Sequence, residues 1–304
     1  MPGEAHVVLA GPVSTTLTDG ELTCVLGHEL LHFGLLESWQ EYLIASQILS
    51  AMVQDSEASL SHIASARLFG LYTEVYCDRG SCLAGGDLAM TITALAKIET
   101  GVADVSAESF LRQTDEIFSK GHPVTEGVTH PETFIRAKAI KLWTEQPQQA
   151  AIEIARIIEG PVSLENLDLL GQVKVSGLTR RLIAQVLRPS WMRTEATMAH
   201  ARLFLDDLQP ATKPDETLKE DLQGDDRKMR DYYCYVLLDF AVADRDLEEA
   251  PLAAALLMSD DLGLGERFRQ LAVKELSLRK KQMEALERDA ESIVAKARES
   301  GESS

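Results

Sequence analysis

No run of 18 or more apolar residues occurs anywhere in the 304-residue sequence, so no segment is built to cross a bilayer as a helix. Positive charge is also short. Thirty Lys and Arg face 48 Asp and Glu, and the formal net charge is -18 with no basic cluster to offset it. Such a chain repels phosphate backbones and anionic lipid headgroups, which argues against nucleic acid as a partner and against direct membrane insertion. Cysteine is scarce: Cys24, Cys77, Cys82 and Cys234 lack the spacing of a disulfide framework, and a reducing cytoplasm is the expected compartment. Cys77 and Cys82 have no matching second pair, which argues against a structural zinc knot. The opening "MPGEAHVVLAGPV" has no basic stretch ahead of its short apolar run and does not read as a signal peptide. No glycine-rich loop follows a strand as a phosphate site requires; Gly80, Gly85 and Gly86 are expected to break a helix. No internal repeat is visible.

What is present is a 45% apolar chain, long enough for two domains. "HVVLAGPV" reads as one short strand closed by Gly11 and Pro12. Thr18 and Glu21 have capping-box spacing ahead of Leu22, Val25, Leu26, Leu30 and Phe33, which predicts a helix over about residues 19 to 36. Further helices are expected over 39–53, over 58–79, and along "DLAMTITALAKIETG" up to Gly101. Pro147, Gly160 and Pro161 mark a change of texture, and "QPATKPDETLKEDLQGDD" reads as a polar linker. Apolar helix pairs resume from Asp231, followed by a long charged helix over about 266–300 that frays at "ESGESS". The expected division is 1–145, a connector and linker over 146–230, and an all-helical 231–304.

One stretch carries chemistry. In "CVLGHELLHFG" His28 and His32 stand four residues apart, so on a helix both imidazoles point to one place. Glu29 sits beside them as a candidate general base for a water that a metal has acidified. A catalytic zinc needs a third protein ligand. "YTEVYCDRGS" offers Glu74, with Asp78 one turn later on the same face. Glu74 is the expected third ligand, and Asp78 the acceptor that orients a ligating imidazole through its free N–H.

The ordered set "VVLAGPV…LTDGELTCVLGHELLHFG", "ARLFGLYTEVYCDRGS", "AMTITALAKIETG" and "VTHPETFIRAKAIKLW" resembles the HtpX-like and CAAX prenyl protease-type zinc metallopeptidases. The resemblance covers roughly residues 5 to 143. It implies a helical zincin-type domain with a small edge-strand sheet, α+β within a mainly α chain. It further implies zinc, one ion per chain, on His28, His32 and Glu74, with Glu29 as general base and general acid. His130 and Arg136 match the family's later His and Arg. Either group can stabilise an oxyanion, and in some relatives a His in this segment resembles a plug on the metal's open position. The implied activity is a zinc metalloendopeptidase acting on a peptide or unfolded protein laid beside the edge strand. The family's transmembrane helices have no counterpart here, and only about five residues precede the strand, as though the start were shortened relative to the relatives. A non-proteolytic zinc scaffold that binds peptides is the competing expectation.

Near the C-terminus, "LLDFAVADRDLEEAPLAAALLMSDDLGL" resembles TerB-like helical domains, which implies a module that engages a protein partner or regulates the first domain. Asp244, Asp246 and Glu249 occupy its turn. Oxygen ligands there suit a hard cation, whereas Asp246 and Glu249 equally have the spacing of a helix N-cap and its N3 residue.

Overall fold

The computed structural model describes residues 6–9, 11, 13–222 and 227–302. Among them there are fifteen α-helices and no strand. They form two compact units, residues 1–160 and 161–304. Gly160 stands at a positive φ of 70° immediately before Pro161, so the chain turns where a proline prevents further helix. The segment expected as a connector is therefore divided between the two units.

The first unit holds α1 (Val13–Thr16), α2 (Asp19–Ser38), α3 (Gln40–Gln54), α4 (Leu60–Gly85), α5 (Leu88–Thr100), α6 (Ala107–Lys120), α7 (Thr133–Glu145) and α8 (Pro147–Glu159). The capping box at the start of α2 forms as the sequence indicates. Thr18 accepts from the Glu21 N–H, and Glu21 accepts from the Thr18 N–H at 2.8 Å while pairing with Lys97 of α5 at 2.9 Å. The long α4 is the centre of the unit and packs against α2, α3, α5, α7 and α8. Leu71 and Val75 of α4 join Ile135, Ala139, Ile154 and Ile158 in one core cluster, and Ile92, Ala137 and Ile140 make a second.

Two sequence expectations need correcting here. Val7, Val8 and Leu9 are exposed and form no strand, because among the described residues no other strand is present to pair with them; Ala10 and Pro12 lie outside the described residues. Glycine does not break α4 at Gly80 or Gly85 either. The helix ends at Gly86, whose φ of 72° supplies the left-handed cap. A further helix, α6, goes unmarked in the sequence reading although Ser106 caps it and its apolar residues recur at helical spacing.

The second unit holds α9 (Leu169–Val186), α10 (Glu195–Phe204), α11 (Leu218–Leu222), α12 (Arg227–Val242), α13 (Ala250–Asp261), α14 (Gly265–Glu275) and α15 (Lys280–Glu302). Tyr233, Phe240 and Phe268 fill its core. The polar stretch read as a linker folds onto this core instead. Leu218 and Leu222 are buried, as is Leu208 just ahead of the stretch, and Arg181 grips Asp215 and Asp221; residues 223–226 lie outside the described residues. The charged tail is likewise two helices. Ser277 takes a φ of 52° between them, so Phe268 and Leu271 of α14 and Met283, Leu286, Ala290 and Val294 of α15 reach the same core. Residues 303 and 304 lie outside the description. No helix among the described residues is long and apolar enough to cross a membrane.

Candidate metal centre

Three glycines allow α2 and α4 to lie close together. A Cβ at Gly27 would collide with Ala84, one at Gly80 with Leu31, and one at Gly85 with Cys24. These pairings run antiparallel, so each step along α2 meets an earlier turn of α4. His28 accordingly lies beside Asp78, and His32 beside Glu74.

The result is a convergence of donors. His28 Nε2 and His32 Nε2 are 3.1 Å apart, Glu74 Oε2 is 3.5 Å from His28 Nε2, and Glu74 Oε1 is 3.3 Å from His32 Nε2. Ligands about 2.0–2.1 Å from a tetrahedral centre stand about 3.4 Å from one another. The three separations fit that edge length, and these residues could hold a metal ion. The chemistry of the set agrees. Glu74 and Asp78 are both buried and face a single guanidinium, that of Arg136, so the second negative charge needs another cation, which the His28 imidazolium or a metal ion can supply.

The surrounding hydrogen bonds hold the donors in place. Asp78, only 2% exposed, has Oδ1 3.1 Å from His28 Nδ1, and accepts two hydrogen bonds from Arg136 at 2.8 and 2.6 Å. With Nδ1 bonded to a carboxylate, Nε2 is left to face Glu74. Burial disfavours the His28 imidazolium, but the Asp78 and Glu74 carboxylates outweigh it and hold the group up at about 9. A cation taking Nε2 competes with that proton. Burial also opposes charge on Glu74, yet His28, His32 and His130 keep its carboxyl well below the usual range. Arg136 is raised in the same sense, its burial being outweighed by Asp78.

His130 and Glu29 stand at the rim. The loop that carries His130 is pinned by Arg67, which donates to the carbonyls of Gly127 and Thr125, and by Glu132, which accepts from the Thr125 hydroxyl and the Glu126 N–H. His130 Nε2 is 3.4 Å from Glu74 Oε2 and its side chain is 57% exposed, outside the converging three. Glu29 is exposed and lines two cavities. One, of about 260 Å3, includes His28, Glu74, Asp78, His130 and Arg136; the other, of about 420 Å3, runs between Val7, Val8 and Leu9 and the α2 residues Leu26, Leu30 and Phe33.

Sequence reasoning missed the residues that pin or wall the site from other elements: Arg67, Glu132, and Thr91, Leu95, Ile98 and Glu99 on one flank of α5. Helical spacing marks that flank, but nothing in the sequence says what it faces. In the second unit Asp244, Asp246 and Glu249 do not converge. Asp244 caps a single turn by accepting from the Asp246 N–H at 2.9 Å, and Glu249 precedes α13 without a side-chain cap. His28, His32 and Glu74 are the one such group among the described residues. Comparison with family models, with curated proteins and with solved structures finds no match to this chain.

Proposed function

We propose that this chain is a zinc-dependent endopeptidase. The observation that carries the reading is Glu29, which lines both the cavity of the converging His28, His32 and Glu74 and the groove beside residues 6–9. Two imidazoles and one carboxylate suit zinc in preference to calcium or magnesium, which favour oxygen donors alone. Zinc held there would supply a Lewis acid and a water acidified to about pH 7.

The chain's own residues then divide the work. Glu29 takes a proton from the attacking water and delivers it to the leaving amine. Asp78 fixes the tautomer and orientation of His28, and Arg136, whose Nε and one terminal nitrogen bond Asp78, acts as a positioning residue for that carboxylate. His130, exposed and tethered through Nδ1 to the Thr129 hydroxyl at 3.0 Å, would donate to the carbonyl oxygen as it gains charge. Val7, Val8 and Leu9 have no partner strand among the described residues, and a substrate peptide in the neighbouring groove would provide one; the small sheet of the zincin-type reading would form only on binding. The free thiols of Cys24, Cys77, Cys82 and Cys234 suit a reducing cytoplasm. The helical second unit is the part assigned to partners or regulation.

The test pairs metal content with turnover. Purified wild type should hold about one zinc per chain and cleave unfolded casein. Glu74→Ala should lose the zinc. Glu29→Gln should keep it and stop cleavage; persistent cleavage in that variant would remove the mechanism. Zinc retained by a wild type that binds peptides without cutting them would instead support the scaffold reading.

A further inference from the structure

The second unit contains a cleft that the peptidase reading leaves unused. Arg188, Pro189, Ser190, Trp191, Thr212 and Arg298 line a cavity of about 320 Å3, with no carboxylate among them. A second cavity, of about 230 Å3, shares Arg188, Pro189, Trp191 and Arg298 and extends over Leu218, Leu257, Met258, Leu262 and Val294. The two are therefore one amphipathic cleft, basic at its mouth and apolar along its length. Its parts come from separate elements: the end of α9 and the turn after it, the loop before α11, and helices α13 and α15.

The charge state of the mouth is unusual for a chain of net charge -18. Arginines nearby are satisfied by carboxylates: Arg180 by Asp207, Arg181 by Asp215 and Asp221, Arg269 by Asp260 and Glu287. Arg188 and Arg298 form no ion pair among the described residues. Two carboxylates line the second cavity together with these arginines: Asp215, which Arg181 already neutralises, and the exposed Asp261. The Ser190 and Thr212 hydroxyls add neutral hydrogen-bonding groups at the mouth. Trp191, on the wall of both cavities, has an indole N–H that is buried without an acceptor.

We propose that this cleft binds an organic carboxylate carried on an apolar body. The carboxylate lies between Arg188 and Arg298, whose planar forks match its two oxygens. The apolar body follows Leu218, Leu257, Met258 and Val294, as in small-molecule sites where a few polar groups orient a mostly apolar ligand. Inorganic phosphate would leave that wall unused, and a polyanion would meet the acidic field of the chain. The shared chemistry has two sources, a free acyl chain or a polypeptide C-terminus with an apolar last residue.

Isothermal titration of the full chain distinguishes them, with octanoate and N-acetyl-leucine as probes and octanol, N-acetyl-leucinamide and inorganic phosphate as controls. One carboxylate should bind at least about tenfold more tightly than its neutral counterpart and than phosphate. Arg188→Gln and Arg298→Gln should each weaken it at least about tenfold, without moving the urea midpoint, since Arg188 is only half-buried, Arg298 is exposed, and neither forms an ion pair among the described residues. Preference for octanoate would assign an acyl chain, and preference for N-acetyl-leucine a chain terminus. No carboxylate binding at millimolar concentration, equal binding of octanol or phosphate, or binding unchanged in both arginine variants would overturn the assignment.

Discussion

His28 Nδ1 and Asp78 Oδ1 are 3.1 Å apart, and the same carboxylate is clasped by Arg136 through two hydrogen bonds. A buried Asp thus couples one imidazole of the converging three to a guanidinium from a third helix, α7. Removing it has two separable consequences. Asp78→Asn keeps the shape but offers Arg136 a weaker partner and no longer selects the His28 tautomer, and zinc affinity should fall by about 10- to 100-fold. Asp78→Ala leaves the buried Arg136 charge with only the longer 3.8 Å approach to Glu74, and should cost about 3 kcal/mol of stability. Chelator competition and urea unfolding report the two effects independently.

Close approach of α2 and α4 should make glycines on α2 unequal. Gly27→Val places side-chain atoms where Ala84 sits, and should destabilise the first unit by about 1–3 kcal/mol while reducing zinc content. Gly34, two turns further along α2 on nearly the same face, has nothing within 4 Å of where a Cβ would be. Gly34→Ala should therefore stabilise by about 0.5–1 kcal/mol through helix propensity alone. Thermal unfolding of the two variants side by side checks the sign of each.

Thiol reactivity should follow burial. Cys24, Cys77 and Cys234 are buried, and burial pushes the Cys77 and Cys234 thiols up to about 12 and raises Cys24. Cys82 is partly exposed. At pH 8 a thiol reagent should label Cys82 first, and the other three only as the chain unfolds. Mass spectrometry of the labelled peptides reads the order directly; prompt labelling of Cys77 would contradict the close packing around α4.

In the second unit, Arg181 holds the Asp215 carboxyl down at about 2, below the ordinary Asp range. A carboxylate lowered on folding contributes stability above its unfolded pKa, and that contribution is lost as pH falls through the folded value. Asp215→Asn should therefore cost about 1 kcal/mol at pH 7, the pair being partly exposed and screened. The difference from wild type should shrink as pH drops from about 4 toward 2. Urea midpoints of both proteins across that window test the sign; a difference constant with pH would mean the pair contributes through packing.

Much of the candidate site is local in origin and was legible for that reason. His28 and His32, like Glu74 and Asp78, are pairs one helical turn apart, and a 3.6-residue period aligns such pairs wherever the helix lies. The Thr18 and Glu21 cap and the left-handed Gly101 were equally legible, since each depends on neighbours a few residues away. The expected strand does not form over residues 6–9, the described part of its run before Gly11, on the opposite count, because β-propensity without a partner builds no sheet. The polar stretch over residues 209–226 misled for a related reason: its two leucines, Leu218 and Leu222, are few, but each is buried in the unit's core.

Composition, charge and helical period were decided by the sequence itself, and with them the absence of a spanning helix and the identity of the donors on α2 and α4. Only the tertiary structure decided that Gly27, Gly80 and Gly85 form the contact that brings those helices together, that Arg136 is committed to Asp78, and that Arg188 and Arg298 share a cleft. The physical reason is range. A helix face is set by residues three and four apart, whereas which faces meet depends on packing summed over elements far apart in the chain.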